Sequence, residues 1–144
     1  MTDEQIALAR RAIACEGWQW MPGMAIGCLI LTSLDGLVVV PHGRVLAMRY
    51  DDDGMQMVSA SEYPYDNEGV PEYLWADLTH IPDLTDPATL GCLLALVREA
   101  WNDAKVHVLY VDGLYRWECA DRHNVHGSGM TEAEALVDAL EYAT

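Results

Sequence analysis

The chain contains no phenylalanine, and its aromatic bulk is five tryptophans and seven tyrosines. Basic residues are scarce: eight Lys and Arg stand against 23 Asp and Glu in 144 residues, a formal net charge of -15. That balance disfavours direct binding to nucleic-acid phosphates or to an anionic membrane surface, because both are held by Lys and Arg. Long apolar runs are missing too. Stretches such as 36–40 fall far short of the roughly 20 residues that span a bilayer. The N-terminus, MTDEQIALARRA, opens with acids and has no apolar signal core. A cytoplasmic protein that touches neither membrane nor nucleic acid directly is the expectation. The four cysteines (Cys15, Cys28, Cys92 and Cys119) have no CxxC spacing, which reads as reduced, buried thiols rather than a disulfide framework.

Catalytic motifs are also lacking. There is no P-loop and no GxGxxG. Ser128 lies in His-Gly-Ser-Gly, out of register with the G-x-S-x-G elbow of serine hydrolases; the flanking glycines read as a hinge before Thr131. Cys119, His123 and His126, with His107 or Cys28 as a fourth ligand, form a C-x3-H-x2-H run that matches no established zinc spacing. Asp51-Asp52-Asp53-Gly54 lacks the alternating twelve-residue ligand ladder of a calcium loop and reads as a hairpin turn. Acids abound, but nothing selects a general acid and base among them. The reading is a non-enzymatic protein with no cofactor and no metal.

What is present is clear periodicity. In 82–102, Asp86 is placed to cap a helix, Pro87 fits its first position, and Leu90, Leu93, Leu94, Val97 and Trp101 form one apolar stripe. Thr2 with Gln5 and Thr131 with Glu134 read as capping boxes. The first opens a helix carrying Ile6, Ala9 and Ile13 and ending at Gly17; the second opens one that buries Ala133, Leu136, Val137 and Leu140. Between them, 26–32, 36–40, 44–50 and 55–60 read as strands, separated by turns at 33–36, Pro41-His42-Gly43 and 51–54. In 44–50, strict alternation sets Val45, Ala47 and Arg49 opposite Leu46, Met48 and Tyr50. Residues 61–85 read as an irregular excursion with a short helical turn near 72–78, and 122–129 as a polar loop. Asp112-Gly113 between 106–111 and 114–119 is the strongest hairpin signal in the chain. The expected fold class is α+β: an antiparallel sheet, meander plus hairpin, of roughly six strands, packed by about three helices as a helix–sheet–helix sandwich. The expected organisation is a single domain over 1–144, with 25–79 a strand-rich insertion ending in an acidic loop.

The most informative feature is a second absence. No Lys or Arg occurs between Arg49 and Arg98, while ten acids do. Excluding Asp83 and the capping Asp86, they are Asp51, Asp52, Asp53, Glu62, Asp66, Glu68, Glu72 and Asp77, interleaved with Tyr63, Tyr65, Tyr73 and Trp75. These twelve residues are the candidate partner-binding surface. Tyr and Trp bring large contact area at low entropy cost, and carboxylates spaced along such a surface present charge as a phosphate backbone does. A merely solvated acidic face is the plain alternative. A second alternative is a sponge that sequesters a nucleotide signal, stacking it on Trp18, Trp20, Tyr63 or Tyr65 with Arg44, Arg49 or Arg116 on its phosphates.

Three segments in order, RRAIACEGWQWMPGM, DLTDPATLGCLLALVREAW and a hairpin leading to TEAEALVDAL, resemble small bacteriophage and prophage proteins. The layout is similar to that of the phage ABA-sandwich domain family. The resemblance covers 1–24 and 80–144, whereas 25–79 departs from the family pattern. It implies phage origin and helix–sheet–helix layering, and it carries over no catalytic residue. With the charge pattern, it leads to the expectation of a phage accessory protein in the host cytoplasm. Such a protein would inhibit a host defence protein or ribonucleoprotein complex, as anti-CRISPR proteins do, by acting as an acidic DNA mimic. A phage structural or assembly protein is the third alternative, and self-association is left open.

Overall fold

The computed structural model describes residues 1–32, 36–51, 54–60, 71–75, 79–119 and 126–143. Within them the chain is α+β, with three helices and two antiparallel sheets. The described residues group into two compact units, Met1–Ile6 with Trp20–Thr89 and Ala7–Gln19 with Leu90–Thr144. None of their helices is long and apolar enough to cross a membrane.

The first unit is built on a five-stranded sheet of order β4-β3-β2-β1-β5. Its strands are β1 (Ala25–Thr32), β2 (Gly36–Asp51), β3 (Gly54–Ala60), β4 (Pro71–Trp75) and β5 (His80–Pro82). The two strands expected over 36–50 are one long strand. Pro41-His42-Gly43 is no turn. Register against β1 slips by one residue there, because Ile26 faces Gly43 and Gly27 faces Pro41, leaving His42 as a bulge. Gly43 supplies the positive φ of 123° that the bulge geometry favours. A second bulge falls at Leu46, since Val45 faces Ser59 and Ala47 faces Val58. An extra residue resets the two-residue period. Strict alternation over 44–50 therefore fails: Val45 is buried, Leu46 and Ala47 are both exposed, and Met48 faces the fully buried Met57.

The expected helical turn near 72–78 is also overturned, because Pro71–Trp75 is strand β4. Glu-Tyr-Leu-Trp suits a pleated surface, and proline is tolerated as the first residue of an edge strand. Buried around the sheet are Trp20, Met24, Ile26, Val45, Met57, Ile81 and Leu84. In a chain without phenylalanine, flexible methionines fill part of this volume.

The second unit holds a three-stranded sheet of order β6-β7-β8, with β6 (His107–Val111), β7 (Leu114–Glu118) and β8 (His126–Gly129). The β6–β7 hairpin turns through Asp112 and Gly113 at φ 52° and 85°, the left-handed pair that Asp-Gly favours. Against this sheet packs α3 (Glu132–Tyr142). Its capping box is complete: Thr131 Oγ1 accepts from the Glu134 N–H at 3.1 Å, and the Glu134 carboxylate accepts from the Thr131 N–H at 3.2 Å. Replacing Thr131 by Ala is expected to cost about 1 kcal/mol, read as a lower thermal midpoint that Thr131→Asp largely restores.

The helices α1 (Asp3–Ala14) and α2 (Pro87–Trp101) fall where their patterns place them. Of the α2 stripe, Leu93, Val97 and Trp101 are buried together with Leu96, while Leu90 and Leu94 are half-buried. Trp101 donates its indole N–H to the Ala139 carbonyl at 2.8 Å and lies 5.3 Å, ring to ring, from the buried Trp117. Asn102 ends α2 at φ 49°, and the Asp103 N–H closes on the Arg98 carbonyl at 3.0 Å, a left-handed C-terminal stop.

Two further expectations change here. Residues 126–129, read as part of a loop and as a hinge, form β8, in which Gly127 faces Trp117 and Gly129 faces Tyr115. Glycine at alternate positions leaves the close space α3 occupies. The cysteines are thiols, but among them only Cys119 is buried; the other three are half-buried.

Candidate functional site

The candidate surface divides between described strands and segments outside them. Asp52, Asp53, Glu62, Tyr63, Tyr65, Asp66, Glu68 and Asp77 lie outside the described residues. Asp51 ends β2, opposite Gly54. Glu72, Tyr73 and Trp75 lie on β4, opposite Ser59, Val58 and Gln56. Gln56 also faces Arg49, so the backbone row Arg49–Gln56–Trp75 crosses three strands two residues from Asp51. Asp51 and Trp75 therefore share one end of the sheet, and Glu72 lies towards the other. Among the described residues β4 pairs on one side only, with β3, which makes it a sheet edge.

The two remaining acids of the Lys- and Arg-free stretch have local structural work. Asp83 Oδ1 accepts from the Thr85 N–H at 2.9 Å and the Thr85 hydroxyl at 2.6 Å, an Asx-type turn. Asp86 caps α2 as its position predicts, accepting from the Thr89 N–H at 2.8 Å and the Thr89 hydroxyl at 2.9 Å. It also receives both prongs of Arg44, each at 2.8 Å, while Arg44 donates as well to the Gly23 carbonyl. Thr89, fully buried, accepts in turn from the Ala25 N–H at 2.8 Å and so ties the start of β1 to the start of α2. The Arg44 guanidinium, aided by the Thr89 donors, holds the Asp86 carboxyl well below the usual carboxylate range.

These groups border an open cleft of ≈ 370 Å³ lined in part by Gln5, Gly27, Arg44, Asp83, Thr85 and Asp86. The cleft offers little to a phosphate. Its one arginine is neutralised by a bidentate carboxylate, and Asp83 adds a second negative charge. Trp20, proposed as a stacking platform, is 6% exposed and belongs to the core. Arg44 and Trp20 are thus committed elsewhere than to a nucleotide. The arginine–aspartate bridge itself was not legible in the sequence. Its 42-residue separation leaves no local trace, although the Asp-x-x-Thr spacing marks the cap.

Other reactive groups are held in structural roles. Cys119 donates its thiol to the buried Asp103 carboxylate at 3.1 Å, and His123 lies outside the described residues. Among the described residues no group of three or more His, Cys, Asp or Glu is placed to hold a metal ion. Burial pushes the Cys15 thiol up, which lowers its thiolate fraction and its reactivity. A two-pronged hydrogen bond to Glu141, 3.0 and 2.6 Å, holds the Arg11 guanidinium above its ordinary value. Comparison with protein-family models, with curated proteins and with solved structures finds no match to this chain.

Proposed function

We propose that this chain is a non-catalytic binding protein that docks on a basic partner through the acidic, aromatic-rich stretch from Asp51 to Asp77. The observation that carries this reading is the position of β4. Glu72, Tyr73 and Trp75 lie on an edge strand, and the segments flanking it in sequence hold most of the other acids and both remaining tyrosines of the stretch. An edge strand accepts an added strand by main-chain pairing, aromatics anchor contacts, and carboxylates steer a positively charged partner at long range. A groove built to hold nucleic acid has that positive character. The reading extends to an acidic nucleic-acid mimic that occludes such a groove in a host defence protein or ribonucleoprotein complex, as a phage accessory protein in the cytoplasm of an infected bacterium.

The test is charge reversal. Asp51→Lys, Asp52→Lys, Glu68→Lys and Glu72→Lys combined should weaken partner binding by more than about tenfold, because four attractions become like-charge repulsions. Circular dichroism and the thermal midpoint report whether the fold is kept. Undiminished binding by a folded variant would contradict the proposal.

A further inference from the structure

Glu118 stands between two histidines on one face of the second sheet. In the register of β6, β7 and β8, His107 lies opposite Glu118, and Glu118 lies opposite His126. Direct partners on adjacent strands point to the same side of a sheet. The neighbouring row, Trp117 with Gly127, is the one that meets α3, because Trp117 donates to Asp138 of that helix. Side chains alternate along a strand, so the His107–Glu118–His126 row projects from the face opposite α3. Its side chains are accessible there: 42% exposed at His107 and 54% at Glu118, with His126 exposed as well.

The hydrogen bonding of His107 indicates what this row is suited to hold. Its Nδ1 lies 2.9 Å from the Lys105 carbonyl. A carbonyl only accepts, so Nδ1 carries the ring proton, and Nε2 of the neutral imidazole presents a lone pair. That lone pair lies 4.0 Å from Glu118 Oε2. Two acceptors facing each other at this distance repel unless a cation is shared between them. An imidazole anchored through one ring N–H, with the other nitrogen presented, is the arrangement of metal-ligating histidines. We propose that His107, Glu118 and His126 form a binding site for a divalent transition-metal ion of the zinc class. Two imidazoles and a carboxylate suit Zn²⁺, Ni²⁺ or Cu²⁺ better than Mg²⁺ or Ca²⁺, which take oxygen donors. Among the described residues no three such ligands are already drawn together. The third comes from His126, which is exposed and so changes rotamer readily. It stands one strand spacing, about 4.8 Å, from Glu118 and turns to the same ion. Binding then clips the three strands together through their side chains.

Calorimetric titration of the intact chain with Zn²⁺ tests this, in buffer holding excess Mg²⁺ to occupy exposed carboxylates. The expected result is one zinc ion per chain. His107→Ala, Glu118→Gln and His126→Ala should each weaken binding by more than about tenfold, since even an outer partner of a ligand is worth that much. Circular dichroism should not change, because none of the three residues is buried. Asp51→Lys with Glu72→Lys, in the first unit, should leave zinc binding as it is, which separates this site from the docking surface. Co²⁺ in place of Zn²⁺ should broaden the amide signals of β6, β7 and β8 and give no thiolate charge-transfer band. Absence of zinc binding over Mg²⁺, binding indifferent to all three substitutions, or a thiolate band that places the ion on cysteine would overturn the proposal.

Discussion

Gly129→Ala is expected to lower chemical and thermal stability by about 3 kcal/mol, the upper end of the range for overpacking a closed contact. A Cβ at this position would lie 2.5 Å from Glu134 Cβ and 2.7 Å from the Ala135 backbone nitrogen. Both atoms belong to the first turn of α3, which the Thr131–Glu134 capping box fixes, so the helix itself must move. At Gly127 the added atom would collide with the Asp138 carboxylate and with Trp117 Nε1, which are joined by a 2.8 Å hydrogen bond. That carboxylate is able to swing aside, but the buried Trp117 N–H then loses its acceptor, at a cost of about 1–3 kcal/mol. The fully buried Trp117 ring, which the added atom would also strike, is not free to swing aside, so Gly127→Ala should destabilise about as much as Gly129→Ala. Ser128 is exposed between them, and Ser128→Ala should stay within about 0.5 kcal/mol of the parent. Urea unfolding of the three variants checks the order. A Gly129→Ala protein as stable as the parent would mean that α3 does not pack on β8 in this way.

Asp86→Ala carries the second large effect, about 2.5–4 kcal/mol. It removes a helix cap, worth about 1 kcal/mol, and the charge-assisted bonds of Arg44, worth about 1.5–3 kcal/mol. The pH dependence follows from the direction of the shift. The Arg44 guanidinium depresses the folded-state pKa of Asp86 below its unfolded value near 3.9, so the unfolded chain takes up this proton first. The contribution is fully present above about pH 4 and is lost as pH falls from there towards the folded-state pKa. Asp86→Asn keeps a capping oxygen but not the charge. Its stability should lie below that of the parent at neutral pH, and the difference should narrow as pH falls below about 4. Urea unfolding at a series of pH values measures this directly. Parallel curves for the two proteins would show that the pair does not stabilise the fold.

Both effects arise from contacts that sequence reading reached unevenly. The caps at Thr2, Asp86 and Thr131 and the Asp112-Gly113 turn were legible because each is written within four residues. The apolar stripes of the helices were legible because their period repeats. What failed was non-local. Pro41-His42-Gly43 carries turn residues, yet a bulge satisfies them within a strand that β1 pairs on both sides of His42. β4 was hidden in a tyrosine- and proline-rich stretch, and β8 in a run of glycines that reads as a hinge until α3 is packed against it. The partnership of Arg44 with Asp86 depends on how β2 and the start of α2 come together, which no local signal encodes. Of the candidate surface, composition alone picked out the acids and aromatics. The strand register then gives Asp51, Glu72, Tyr73 and Trp75 their backbone positions, which spacing in the sequence did not provide.

The most direct test of the docking account is capture from bacterial lysate on the tagged protein, washed in parallel at low and high salt, with proteins and small molecules identified in each eluate. The parent chain should retain a nucleic-acid-binding protein or complex at low salt and shed it at high salt. The four-lysine variant should retain it at neither. An eluate that is the same for both chains, or one holding a bound nucleotide and no protein partner, would contradict the account.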